Sequence, residues 1–148
     1  MDLEEELGAV VDALHAAGVE YALCGGLALA VHGAPRATID IDLLVGTGDV
    51  ARVREIAEGL GFRFPAMPMN FSNIRIDRIT KIDAVGDTLM LDLLVTTPEL
   101  EHVWRGRQHL PWKGRQISVV SREGLVTLKM LRASKQDLAD IERLRDLE

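Results

Sequence analysis

Cysteine and aromatic side chains are scarce in this sequence, and long apolar runs are lacking. It has one cysteine, Cys24, and aromatic residues make up 4% of its 148 residues. A single cysteine excludes an internal disulfide, and its apolar neighbours indicate a buried structural thiol. No apolar run approaches the roughly 18 residues that cross a bilayer. The acidic start, Met1–Glu6, is the opposite of the basic start of a signal peptide. We therefore expect a cytoplasmic protein with no membrane partner.

Hydrophobic residues, by contrast, are plentiful at 47%, and charged residues make up 27%. A chain of this length and composition suffices for one well-packed domain and is too short for two ordinary ones. We predict a single domain over 1–148, with a core at about 1–97 and a C-terminal hairpin and helices at about 98–148. The net charge of −6 argues against a protein that coats nucleic acid with its whole surface.

The spacing of apolar residues predicts alternating helices and strands. Before residue 61 the predicted elements are a helix at 3–17 capped by Asp2, strands at 19–24 and 38–45, a helix at 27–32, and a helix from the capping residue Asp49 to about 60. After residue 61 the predicted elements are first a loop at 66–70, one or two strands at 74–83 and a strand at 88–95. They are followed by a helix at 98–104, a hairpin at 109–120, and helices at 122–132 and 135–147 capped by Ser121 and Ser134. This order predicts an α/β fold with a mixed sheet flanked by helices.

Two glycines, Gly25 and Gly26, lie between the first predicted strand and the next helix. Glycine lets a backbone approach a ligand closely, and the free N–H groups of a helix start attract anions such as phosphate. Taken alone, such a pair is more often an ordinary turn.

Two aspartates, Asp40 and Asp42, interrupt the apolar strand at 38–45. Side chains alternate along a strand, so both carboxylates share one face about 6–7 Å apart. At an effective dielectric near 20 they repel each other by about 2–3 kcal/mol. A bound cation relieves this repulsion, and hard oxygen ligands select Mg²⁺ or Mn²⁺. The alternative is a pair of aspartates at a solvated strand end.

A third aspartate, Asp92, lies in the middle of the apolar strand at 88–95. A carboxylate in such a setting is costly unless it has a partner. A metal shared with Asp40 and Asp42 is one candidate partner, and a buried arginine is the other.

These residues together resemble a known family. Gly25-Gly26 is followed by thirteen residues and then Asp40-Ile41-Asp42, and Asp92 comes fifty residues after Asp42. This spacing resembles the DNA polymerase β-type nucleotidyltransferase superfamily. The string GGLALAVHGAPRATIDIDLLV is most similar to small bacterial members such as AbiEii-type toxins and minimal nucleotidyltransferases. The resemblance covers about 19–95, continues loosely through 129–141, and implies the nucleotidyltransferase fold.

The resemblance also implies roles for the motif residues. Gly25 and Gly26 would contact the nucleotide phosphates. Asp40 and Asp42 would hold two divalent ions, Mg²⁺ or Mn²⁺. Asp92 would bind the ion nearer the acceptor and help to deprotonate its hydroxyl. Many family members have a serine after the first glycine, whereas Gly26 offers only its backbone.

Further residues match the family more loosely. Arg36 would pair with a phosphate, and Thr38 would share the face of the first two aspartates. Lys129 would come from a helix that returns to the site. The alternatives are an exposed loop charge for Arg36 and a helix-surface lysine for Lys129. Asp137 and Asp140 match the toxin-like tail, although Asp137 is better explained as a helix-start residue.

A basic strip lies between residues 104 and 116. Its cations are Arg105, Arg107, Lys113 and Arg115, two tryptophans accompany them, and no acidic residue lies between Arg105 and Ser121. Such a strip is typical of a surface that binds an RNA end or another polyanion. A solvated hairpin with two packing tryptophans is the alternative.

We therefore expect a metal-dependent nucleotidyltransferase that moves a nucleoside monophosphate from an NTP such as ATP to a hydroxyl. The acceptor would be a protein, an RNA end or a small molecule, gripped by the 62–83 region, the basic strip or a second copy of the chain in a homodimer. The main alternative is a catalytically silent nucleotide- or partner-binding member of the same fold, such as a component of a toxin–antitoxin pair. A metal-dependent phosphohydrolase is a further alternative that fits the glycine spacing less well.

Overall fold

The structure is a computed structural model that describes residues 1–71 and 74–147. Its helices are α1 (Leu3–Ala16), α2 (Gly25–Val31), α3 (Val50–Gly59), α4 (Glu101–Arg105), α5 (Arg122–Arg132) and α6 (Lys135–Arg145). Its strands are β1 (Ala22–Cys24), β2 (Asp40–Val45), β3 (Phe62–Pro65), β4 (Met69–Phe71), β5 (Ile74–Ile82), β6 (Thr88–Val95), β7 (Gln108–Trp112) and β8 (Arg115–Val119).

The strands form one mixed sheet in the order β3-β5-β6-β2-β1-β8-β7, and β4 also pairs with β5. The pairs β2–β6 and β1–β8 are parallel, and the other pairs are antiparallel. The mixed sheet and the α/β class predicted from the sequence are therefore confirmed. Parallel pairing requires long crossover connections, so residues far apart in the chain meet on β2 and β6.

Helices pack on both faces of this sheet. Lys81 of β5 bonds Glu6 of α1 at 2.8 Å, whereas Arg78, three residues earlier, faces the other side of the strand. α5 contacts α2, α4 and α6 and closes part of the face that carries Arg78. A continuous core of buried aliphatic side chains joins the layers, and Cys24 lies in it with 1% exposure. The buried thiol is thus confirmed. No helix in the described part of the chain is long and apolar enough to cross a membrane.

Several predicted caps and elements are confirmed. Asp2 accepts a hydrogen bond from the N–H of Glu5, and Ser121 accepts one from Gly124. The predicted hairpin turns at Lys113 and Gly114, both with positive φ. The predicted starts of β1 and β2 were too early: β1 begins at Ala22 rather than at Val19, and β2 begins at Asp40 rather than at Thr38, because pairing with the neighbouring strands begins there.

Three local predictions were wrong. The predicted loop at 66–70 contains the start of β4, because Met69 pairs with Ile76 of β5. The helix after the glycines begins at Gly25 rather than at Leu27. Asp49 precedes α3, but its side chain makes no cap hydrogen bond with any described residue, since a 3₁₀ turn at 47–49 leads into the helix.

Candidate active site

The strand register brings the three predicted aspartates onto one face of the sheet. β2 and β6 run parallel, and Asp42 is the direct partner of Asp92. Paired residues on neighbouring strands face the same side. Asp40 lies two residues before Asp42 and therefore shares that face. Two segments separated by fifty residues thus contribute carboxylates to one small area.

This face forms the floor of a cleft of about 490 Å³. Further lining side chains come from β4, β5, β6, α5 and α6. The predicted site residues that line it are Gly25, Gly26, Arg36, Thr38, Asp40, Asp42, Asp92 and Lys129. The structure therefore brings together all eight.

Asp92 has an arginine partner. Its carboxylate accepts hydrogen bonds from Nε and NH2 of Arg78 at 2.8 and 2.9 Å, and Arg78 is also its cross-strand partner. Asp92 is 5% exposed, so this bidentate pair compensates a buried charge. Within residues 1–71 and 74–147, no group of three or more acidic, histidine or cysteine side chains is arranged to hold a metal ion.

Neither Asp40 nor Asp42 forms an ion pair with any residue that the structure describes. Burial raises the pKa of the Asp42 carboxyl to about 7, and the charges of Asp92 and Asp40 add to the rise. Burial and the charge of Asp92 also raise the pKa of Asp40. The Oδ1 atom of Asp40 is buried and accepts no hydrogen bond from any described residue. A buried carboxylate oxygen of this kind fits a hard cation, because such a cation supplies the missing charge and the missing contact.

Gly25 and Gly26 abut the aspartate strand closely. Gly25 has a φ of +68°, and a Cβ there would lie 2.7 Å from Cγ of Asp42. A Cβ at Gly26 would lie 2.8 Å from Oγ1 of Thr38. Thr38 precedes β2 and therefore is not part of the strand, contrary to the sequence-based bounds. A serine at position 26 would collide with Thr38, whose own hydroxyl already lies beside the glycine turn.

Replacing Gly25 with alanine is expected to disrupt the aspartate site, and Gly18 provides a matched control. Both glycines have a φ of +68°, but a Cβ at Gly18 has no described atom within 4 Å. Left-handed backbone costs about 1–2 kcal/mol for a non-glycine residue, so both variants lose that much. Gly25→Ala must in addition displace Asp42. We expect it to unfold at a clearly lower temperature than Gly18→Ala, measured by circular dichroism; equal melting temperatures would contradict this packing.

A buried ionic network links α5 and α6 to the segment before β2. Lys129 is 5% exposed, and its Nζ lies 2.8 Å from Oδ2 of Asp140, which is fully buried. Arg36 donates two hydrogen bonds to the same carboxylate at 2.9 and 3.1 Å, and Gln136 donates a third. Burial alone raises the pKa of Asp140, but these donors outweigh it, and the net shift is downward. The alternatives of an exposed Arg36 and a helix-surface Lys129 are therefore not what the structure shows.

Asp137 completes this network. It forms the predicted cap with Ser134, and the two make a reciprocal capping box. It also accepts two hydrogen bonds from Arg132, at 2.7 and 2.9 Å, and lies 3.7 Å from Nζ of Lys129. Burial opposes ionisation of this carboxyl, but the hydrogen bonds from Arg132 and Ser134 dominate and lower its pKa to about 2. Asp137 thus serves both as a helix cap and as part of the network beside the cleft.

Each cation of the basic strip forms an ion pair with an acidic residue, and three of these acids come from other parts of the fold. The pairs are Arg105–Glu101 at 3.0 Å, Arg107–Glu20 at 3.3 Å, Lys113–Glu4 at 3.2 Å and Arg115–Asp12 at 2.9 Å. Arg107 also lies over the ring of Trp104, 4.1 Å from its centroid. The strip is therefore not an uncompensated patch of positive charge, because α1 and the segment before β1 supply acids next to the hairpin. The structure favours the solvated hairpin over an RNA-binding strip.

Two cations of the cleft, Arg78 and Arg132, were missed by sequence reasoning. Arg78 reaches Asp92 through the register between β5 and β6, which no local pattern specifies. Arg132 lies three residues after Lys129 on one side of α5. This spacing could have indicated that Arg132 lies beside the cleft with Lys129.

The comparisons with known proteins concern the fold. No family model and no curated protein matches the sequence significantly. The lincosamide antibiotic adenylyltransferase LnuA, solved with lincomycin bound, is similar over 98% of both chains at 20% identity and a TM-score of 0.69. A protein from Thermotoga maritima assigned as a nucleotidyltransferase is similar over 100% of this chain and 97% of its own, at 15% identity and a TM-score of 0.64. ANT(2")-Ia in complex with adenylyl-2"-tobramycin is similar over 96% of this chain and 87% of its own, at 15% identity and a TM-score of 0.67.

The chain has the nucleotidyltransferase fold. The similarity extends over nearly its whole length, including the segment that carries Lys129, Asp137 and Asp140. The fold implied by the motif resemblance is thereby confirmed, and the chemistry of the cleft has to be argued from its own residues.

Proposed function

We propose that the protein is a nucleotidyltransferase that depends on Mg²⁺ or Mn²⁺ and moves a nucleoside monophosphate from an NTP to a hydroxyl group. The observation that carries the proposal is the set of three aspartates, Asp40, Asp42 and Asp92, on one sheet face beside the Gly25-Gly26 turn. The overall fold supports it, since all three neighbours named above are nucleotidyltransferases or carry an adenylylated product.

The residues present fit a divalent cation. The unpartnered oxygen of Asp40 and the raised pKa of Asp42 mark a place where added positive charge stabilises the protein. Asp40 and Asp42 would hold the ions, and Asp92 would join them on exchanging its bond to Arg78. When bound, such ions stabilise the attacking and the leaving oxygens of an in-line displacement.

The glycine turn and the ionic network would bind the triphosphate. Gly25 and Gly26 expose backbone that a phosphate can approach closely. Thr38 places its hydroxyl next to Gly26 and would supply the contact that a serine gives in other members. Arg36 and Lys129 share Asp140, which fixes their positions at the edge of the cleft.

The transfer itself is a substitution at the α-phosphorus. The hydroxyl oxygen of the acceptor bonds to that phosphorus, the bond to the β-phosphate oxygen breaks, and pyrophosphate leaves. The hydroxyl proton passes to Asp92, which lies on β6 opposite Arg78 of β5. We further propose ATP as the donor and a small molecule as the first acceptor to test, because LnuA is a lincosamide adenylyltransferase and ANT(2")-Ia was solved with an adenylylated tobramycin.

One observation favours a second candidate function. The Arg78–Asp92 pair satisfies the aspartate proposed to accept the proton. A protein that never releases this pair would bind nucleotide or a partner without transfer, as expected of a silent component of a toxin–antitoxin pair.

Incubation of the protein with each α-³²P-labelled NTP, Mg²⁺ or Mn²⁺ and a cell extract tests the proposal. We expect label to move to a hydroxyl-bearing acceptor, found on protein, RNA or small molecules after separation, with release of pyrophosphate. Asp92→Asn serves as the inactive control, and an Arg107→Gln, Arg115→Gln double variant should retain activity. Nucleotide binding with no label transferred to the protein, RNA or small-molecule fraction would contradict the proposal and support the silent alternative.

A further inference from the structure

We propose that the acceptor is an uncharged, largely apolar small molecule that carries a hydroxyl, and that it binds to an apolar wall beside Asp92. The inference rests on the proposed function, since it specifies what the same site accepts. The apolar wall consists of Met69, Phe71, Ile74, Ile76 and Leu94.

The sheet register makes this wall a direct continuation of the aspartate face. Leu94 lies two residues after Asp92 and therefore faces the same side. The remaining members follow by pairing, because directly opposite residues share a face. The cross-strand pairs are Leu94 with Ile76, Ile76 with Met69, and Ile74 with Phe71. A molecule lying on the wall would thus present its near end to Asp92.

The wall is apolar and open to the cleft. Phe71 is 43% exposed, and Met69, Ile76 and Leu94 are half-buried. Ile74, at 5% exposure, forms its recessed part. Binding of a ligand that removes accessible apolar side chains of a concave site from water is favourable. Beside a catalytic carboxylate, such a surface fits the apolar body of an acceptor.

The charges of the cleft disfavour a polycationic acceptor. The acidic residues among its described lining residues are Asp40, Asp42, Asp92 and Asp137. The first three are assigned to the metal ions and to the proton, and Asp137 is bonded to Arg132. A polyamine would therefore find no free carboxylate within the described cleft.

An RNA acceptor is disfavoured by the same surface. RNA binding depends on several cations that contact phosphates. Of the described lining residues that β4, β5 and β6 contribute, Arg78 is the one cation, and it is bonded to Asp92. A protein acceptor would contact the recessed Ile74 only by inserting a side chain, whereas a small molecule can cover the whole wall.

Binding of 2-(2-naphthyl)ethanol, an uncharged fluorescent alcohol, tests the inference. We expect saturable binding to the full chain, measured by fluorescence anisotropy. Ile76→Glu should weaken it about tenfold or more, because ligand binding would then desolvate a carboxylate. Ile82→Glu is the matched control: it lies on the same strand and is 45% exposed, but it lies outside the cleft, so affinity should be unchanged. If Ile76→Glu does not fold, Met69→Gln replaces it, with an expected loss of several-fold.

Competition and nucleotide binding complete the experiment. Neither kanamycin, a polycation, nor a 12-nucleotide RNA should displace the naphthyl probe. Absence of saturable binding, equal affinity in the Ile76 and Ile82 variants, or displacement by either competitor would overturn the inference. Binding of a fluorescent ATP analogue with Mn²⁺ is measured in parallel and should be the same in both variants. If the parent protein binds the naphthyl probe but does not bind the ATP analogue, the proposed function is refuted. The apolar subsite is then still supported.

Discussion

Asp42→Asn is expected to abolish nucleotidyl transfer while raising the melting temperature of the metal-free protein or leaving it unchanged. The asparagine removes a charged ligand from the proposed cation site. Losing several kcal/mol of metal-ion stabilisation slows a reaction by about a thousandfold. It also removes a carboxylate whose charged form is disfavoured, because burial and the charges of Asp92 and Asp40 raise the pKa of Asp42.

Thermal unfolding with and without Mg²⁺ and ATP separates the two effects. The parent protein should melt higher with the ligands, by mass action, and the variant should show no such increase. For a domain of this size, a gain of 1 kcal/mol corresponds to roughly 3 °C. A metal-free variant that melts much lower than the parent would show that Asp42 is part of a structural ion pair instead.

The pH dependence of stability provides an internal check on the same variant. The ordinary pKa of this carboxyl is 3.8, and in the folded protein it is about 7. Between these values the folded protein holds a proton that the unfolded chain has released, so stability present below pH 4 is lost as the pH rises through about 7. Each tenfold difference in proton affinity between the folded and unfolded chains corresponds to about 1.4 kcal/mol. The stability advantage of Asp42→Asn should therefore grow from pH 4 to pH 7, whereas Asp137, with a pKa of about 2, acts in a separate window below pH 4.

Asp140→Asn is expected to cause a large loss of stability. Asp140 is fully buried and receives hydrogen bonds from Arg36 and Gln136 and an ion pair from Lys129. Removing its charge leaves the ammonium of Lys129 buried with Asp137 as its nearest acid, at 3.7 Å. Breaking a buried pair on one side costs about 3–5 kcal/mol, which lowers the melting temperature by roughly 10 °C. Affinity for ATP should also fall, since Arg36 and Lys129 lose the group that positions them.

Asp12→Asn is the matched control for this variant. Asp12 also accepts two hydrogen bonds from an arginine, Arg115, at 2.9 and 3.0 Å, but the pair is exposed. Exposed ion pairs contribute little to stability, because solvent screens them and their side chains lose entropy. We expect its melting temperature to stay close to that of the parent. Similar losses for Asp12→Asn and Asp140→Asn, measured by calorimetry, would contradict the burial argument.

Local patterns determined much of the fold. The caps at Asp2, Ser121 and Ser134 could be read from single residues and their neighbours, because a cap depends on contacts within one helical turn. The alternation of apolar and acidic residues in β2 likewise predicted that Asp40 and Asp42 share a face. In the 62–83 region the strand predicted at 74–83 is present as β5, whereas β3 and β4 were not predicted, because they are held by pairing with β5 rather than by a local pattern.

Motif spacing determined which residues line the cleft, and tertiary structure decided what holds them. The glycine pair and the three aspartates carry the resemblance to the nucleotidyltransferases in their order and spacing. That Asp92 meets Arg78, that Lys129 and Arg36 share Asp140, and that α1 and the segment before β1 supply acids to the basic strip could not be read from the sequence. Each of these contacts joins residues from different elements, and which side chains meet is set by strand register and helix packing, not by any local pattern. The sequence by itself therefore indicated a chemistry, whereas the charge balance of the site was decided only when the chain folded.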